Sequence, residues 1–72
     1  MPNELYIVMQ ESAAPVPAVG RVREYNSDGR VLIRLFEGMN APDGVDTIDR
    51  VEAETMLESS ISWNSPNRPW NL

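Results

Sequence analysis

VGRVREYNSDGRVLIRLFE, residues 19–37, carries the strongest structural signal in this chain. Val19-Gly20-Arg21-Val22-Arg23-Glu24-Tyr25 alternates apolar and polar positions, Asn26-Ser27-Asp28-Gly29 gathers turn formers, and Arg30-Val31-Leu32-Ile33-Arg34-Leu35-Phe36 returns. Asn, Ser and Asp bond their own backbone in turns, and a type I turn closed by a residue of positive φ favours glycine. The stretch therefore reads as a β-hairpin. Successive strand residues point to opposite faces, so loop length decides which side chains share a face. A two- or four-residue loop puts Val22 beside Val31, Ile33 and Leu35, whereas a three-residue loop scatters that set. An even loop is expected.

The same parity places Arg21, Arg23 and Arg34 on the opposite face, with Tyr25, Leu32 and Phe36. Arginines opposed across two strands repel, so something anionic should neutralise them. An external phosphate, carboxylate or acidic partner suits guanidinium forks. The chain's own Asp49, Glu52 and Glu54 on a neighbouring strand would do the same with no partner, and with 11 acidic residues that explanation is favoured.

Upstream, Leu5-Tyr6-Ile7-Val8-Met9 is a continuous apolar run of strand length, suited to burial on both faces. Ser12-Ala13-Ala14-Pro15-Val16-Pro17 is an extended loop, because two prolines cannot sit in a central ladder. Downstream, Gly38 to Asp46 is loop, with Ala41-Pro42-Asp43-Gly44 a turn; Thr47 to Glu54 suits a polar-faced strand, Thr55 to Glu58 one helical turn, and Ser59 to Trp63 a short last strand. A single helix over Val51 to Ser59 is the second choice, because Val51, Thr55 and Glu58 make a poor apolar stripe.

This order of strand, long loop, hairpin, turn, strand, helical turn and strand, over Leu5 to Trp63, resembles an SH3-like small barrel. The resemblance is one of layout and implies an all-β, five-stranded barrel over residues 1–63 with one short helical turn. It transfers no function, since no binding motif of the signalling SH3 domains accompanies it. Residues 64–72 form an extended arm, because Pro66 and Pro69 push the residues before them to extended geometry.

Composition narrows the function. With 72 residues there is one small domain, of a size that commonly needs disulfides, metals or oligomerisation for support. Cysteine and histidine are absent and every cation is arginine, so thiolate chemistry, the commonest general base and Schiff-base chemistry are missing. No enzyme activity and no cofactor are expected. Asp43, Asp46 and Asp49 recur every third residue but lack the spacing of a calcium loop, so no metal is expected either. A net charge of −5 disfavours direct binding to nucleic acid. MPNELYIVMQ has no basic lead, and no apolar stretch is of membrane-spanning length. The expected location is cytoplasmic, or a particle assembled in the cytoplasm.

The tail, SWNSPNRPWNL, holds both tryptophans, Trp63 and Trp70, together with Arg68 and Leu72. Trp and Arg dominate interface hot spots, and a proline-stiffened arm loses little entropy on docking. The leading expectation is a non-enzymatic assembly module whose arm (Trp63, Arg68, Trp70, Leu72) docks on a protein partner, making a homo-oligomer or a subunit of a larger assembly. The face of Arg21, Arg23, Arg34, Tyr25 and Phe36 is a second partner surface. The alternative is a phage-type acidic inhibitor that mimics nucleic acid through Asp43, Asp46, Asp49, Glu52, Glu54 and Glu58.

Overall fold

The computed structural model describes residues 4–13, 19–59 and 62–64. They form strands β1 (Leu5–Gln10), β2 (Gly20–Asn26), β3 (Arg30–Leu35), β4 (Ile48–Asp49) and β5 (Trp63–Asn64), a 3-10 turn at Glu11–Ala13 and one helix, α1 (Arg50–Ser59). The sheet is antiparallel throughout, in the order β4-β1-β3-β2-β5. β3 lies at its centre because Val31, Leu32 and Ile33 are consecutive and all buried, which only a strand covered on both faces allows. β1 is buried on both faces as its composition suggested: Tyr6 packs on one side and Ile7 on the other.

Among the described residues the sheet does not close, so the expected barrel is not confirmed: the strands form an open antiparallel sheet whose outer members β4 and β5 are two residues each. The reason lies in residues 47–54, expected as a strand. Only Ile48–Asp49 pair with β1, at Tyr6 and Leu5, and the chain then enters a ten-residue helix. Asp49 starts that helix: its Oδ1 accepts a hydrogen bond from the Glu52 amide at 2.8 Å, the N-cap contact that satisfies a donor no helical carbonyl can reach. Glu52 adds a favourable charge in the first turn. The inward stripe is Ala53, Met56 and Leu57, at i, i+3 and i+4, and not Val51, Thr55 and Glu58; Val51 is 74% exposed. α1 covers one face of the sheet, where Ala53, Tyr6 and Leu32 are fully buried among Val8, Ile48, Met56, Leu57 and Trp63.

On the opposite face Ile7, Val22, Val31, Ile33 and Leu35 form the second core cluster, with Met9, Val19, Tyr25, Ala41 and Val45 against it. The expected grouping of Val22 with Val31, Ile33 and Leu35 holds, but by a different route. β2 ends at Asn26 and β3 begins at Arg30, so the connection is Ser27, Asp28 and Gly29, an odd loop. The Asp28 amide bonds Asn26 Oδ1 at 2.7 Å, the Gly29 amide bonds the Asn26 carbonyl at 3.0 Å, and Gly29 takes φ +85°. The parity lost in the turn is regained at a β-bulge: Val22 faces Ile33 and Glu24 faces Leu32, leaving Arg23 as the extra residue. Tyr25 lies between the turn and the bulge. It therefore pairs with Val31 and joins the second cluster, and it leaves the arginine face on which it was expected.

Gly20 is fixed by sterics. A Cβ there would collide with the Arg34 carbonyl oxygen and approach Ile33 Cγ2 to 2.7 Å.

Candidate functional site

Arg21 and Arg34 face each other across β2 and β3, the like-charged pairing that the hairpin pattern implied. Neutralisation of Arg34 comes from Glu4, immediately before β1: Arg34 Nη2 lies 3.2 Å from Glu4 Oε1, and Arg50 Nε, at the start of α1, lies 3.9 Å from Oε2. The buried Tyr6 hydroxyl donates to Glu4 Oε2 at 2.8 Å and accepts from Arg23 Nη1 at 3.1 Å. Arg23 also meets Glu54 Oε1 at 2.8 Å, and its guanidinium lies 5.7 Å from the centre of the Tyr6 ring. Arg23, the extra residue of the bulge, keeps the face of Arg34 and Leu32 that strand alternation gives it, and that face carries the helix. The network therefore joins β1, β2 and β3 to both the first turn and the middle of α1.

Each proton equilibrium follows from these contacts. The Tyr6 hydrogen bond, then Arg34, Arg50 and Arg23, hold the Glu4 carboxyl below its ordinary range against a partial loss of hydration. Burial and the bond to Glu4 push the Tyr6 hydroxyl up. For Arg23, burial works against the charge, but Glu54 and Tyr6 outweigh it and the guanidinium is held more firmly protonated. Of the three acids expected to answer the arginines, Glu54 does so, whereas Asp49 caps the helix and Glu52 lies exposed in its first turn. Among the described residues Arg21 is exposed and makes no ion pair.

The remaining expected site residues are dispersed. Trp63 is half-buried against the Tyr6–Leu32–Ala53 cluster, an ordinary core position. Asp43, Asp46 and Glu58 are exposed. Arg68, Trp70 and Leu72 lie outside the described residues, as do the prolines at 15 and 17. Among the described residues, no group of three or more acidic side chains could hold a metal, and no helix is long and apolar enough to cross a membrane.

Sequence reasoning missed a second feature. Leu5, Phe36 and Met39, each 39% exposed, line one open cleft of about 170 Å³ with Glu4, Arg34 and Glu37. It forms where β1 begins and the chain leaves β3. The Phe36 amide bonds the Val19 carbonyl at 2.9 Å, and the Met39 amide bonds the Phe36 carbonyl at 3.0 Å, turning the chain back beside Leu5. Phe36 was singled out from its strand position, but Leu5 and Met39 carry no local signal. Met39 reaches Phe36 through the local turn, and Leu5 meets the two only through the β1–β3 pairing.

Fold and site together define a small domain whose described residues form an open antiparallel sheet clasped on one face by α1. No protein-family model matches the chain, and the comparisons with curated proteins and with solved structures found no match.

Proposed function

We propose that this chain is a non-enzymatic protein-interaction module that assembles on itself or on a larger complex. The observation that supports it is the exposed trio Leu5, Phe36 and Met39 gathered around one cleft; among the described residues the other large apolar side chains, Val51 apart, are wholly or partly covered. The sequence adds the tail residues Arg68 and Trp70, both hot-spot types, with Leu72 in the same proline-broken segment. An anion site on the arginine face has less support, because Glu4 and Glu54 already occupy Arg34, Arg50 and Arg23. Nucleic-acid mimicry also has less support: Asp49 serves as a helix cap and Glu54 is paired, which interrupts the acidic series between Asp43 and Glu58.

The test is light scattering after size exclusion, with cross-linking in the native host, on the full chain, a chain ending at Asn64 that keeps β5, Trp70→Ala and Phe36→Ser. An oligomer or a cross-linked partner that disappears in the tail or Phe36 variants, with circular dichroism unchanged, supports the proposal. Monomers throughout and no cross-linked protein would overturn it.

A further inference from the structure

We infer that the Leu5–Phe36–Met39 cleft receives one apolar anchor side chain from a basic segment of a partner protein. The inference rests on the interaction-module reading and adds the site and the chemical class of its occupant. Size limits what can enter. At about 170 Å³ the cleft is well below the roughly 300–1,000 Å³ of small-molecule and cofactor sites, but it can take a single large side chain. Its walls suit such a group, with an aliphatic, an aromatic and a thioether side chain, the last able to repack around different shapes.

Charge selects what flanks the anchor. Arg34 is the cation lining the cleft, and it is already engaged by Glu4. Glu37 lines the same cleft and is exposed, and among the described residues it makes no ion pair. From Leu35 to Asp49 the chain bears Glu37, Asp43, Asp46 and Asp49 and no Arg or Lys, so the segment leading away from the cleft presents one sign of charge. The whole chain carries −5. Encounter is therefore steered toward cationic partners, while an acidic segment meets repulsion both at long range and at Glu37. Arg or Lys beside an apolar anchor satisfies both surfaces at once: the anchor displaces water from the cleft, and its neighbour pairs with Glu37.

The experiment is selection from a displayed library of random peptides against the immobilised full chain, counter-selected on Glu37→Arg and on a Phe36→Ser/Met39→Ser variant. Circular dichroism and melting curves confirm that each variant is folded. The expected result is enrichment of peptides with an aromatic or aliphatic residue flanked by Lys or Arg. Their synthetic versions should lose about tenfold or more in affinity on the cleft variant, the scale of a truncated hot spot. They should also weaken on Glu37→Arg and as salt rises. Enriched peptides that are acidic or neutral, or that bind both variants as well as the parent, overturn the cleft assignment and leave the interaction module standing. No enrichment over background overturns both.

Discussion

Replacing Tyr6 with Phe isolates the hydroxyl that joins the sheet to its helix. Tyr6 is 1% exposed, and the substitution keeps the ring in place, so no cavity forms. What disappears is the bond donated to Glu4 at 2.8 Å and the bond accepted from Arg23 at 3.1 Å. Hydrogen bonds to charged groups contribute roughly 1.5–3 kcal/mol each in favourable cases. Both partners keep other contacts, Glu4 with Arg34 and Arg50 and Arg23 with Glu54, and their side chains are 30% and 35% exposed, so water replaces part of the loss. The expected cost is then about 1–2 kcal/mol in total. Against a stability of roughly 4–11 kcal/mol for a chain this long, that is a substantial fraction. Each kcal/mol moves the melting temperature of a domain this small by about 4–8 °C, so a fall of about 4–16 °C is expected in circular-dichroism melts. Urea unfolding should show a lower midpoint at unchanged slope, since the surface exposed on unfolding is the same. A cycle with Arg23→Met should return a coupling of about 0.5–1 kcal/mol, kept small because the guanidinium is partly solvated. A Phe variant within about 1 °C of the parent would show that the network is incidental, and it would return the arginines to the pool of candidate binding groups.

Three further outcomes follow from the same geometry. Gly20→Ala should destabilise by about 1–3 kcal/mol in urea titration, because its methyl meets the Arg34 carbonyl and Ile33; an unchanged midpoint would mean that β2 sits farther from β3 than described. Asp49→Ala should cost about 1 kcal/mol and reduce the helical ellipticity, with Asp49→Ser retaining most of both, and equal behaviour of Ala and Ser would contradict the capping role. The carboxyl of Glu4 is lowered in the folded state, so its contribution is present above the unfolded value of about 4.3 and is lost as pH falls through the lower folded value. Acid unfolding of Glu4→Gln should accordingly be shallower over that window than in the parent, and identical acid profiles would refute the assignment.

The hairpin shows how a correct grouping can rest on an incorrect register. The apolar set Val22, Val31, Ile33 and Leu35 is legible because burial of one face demands it. Two one-residue offsets, the odd turn and the bulge at Arg23, cancel along the strand and leave that pattern unchanged. Glu24 and Tyr25, between them, report the difference, and two residues at a strand end break no apolar pattern. The helix was harder to read for another reason. Its stripe contains one alanine and two larger residues, so the periodic signal is faint, while Ile48 and the alternation after it suit a strand equally well. A local signal was nonetheless present in Asp49 and Glu52, whose spacing matches a helix start.

From its residues alone, this chain determined a small acidic domain without thiol, imidazole or amine chemistry, built on a tight hairpin and a strand buried on both faces. These are properties of composition and of local pattern, where each residue acts through near neighbours. Tertiary pairing settled the rest: that β3 is the central strand, that the sheet stays open, that Glu4 answers Arg34 and Arg50, and that Leu5 meets Phe36 and Met39. Glu4 and Arg34 are distant in sequence, and only the β1–β3 register brings them together. That register is selected by burial of Tyr6 and Ile7 on opposite faces of the sheet, a collective free energy that no short stretch of residues encodes.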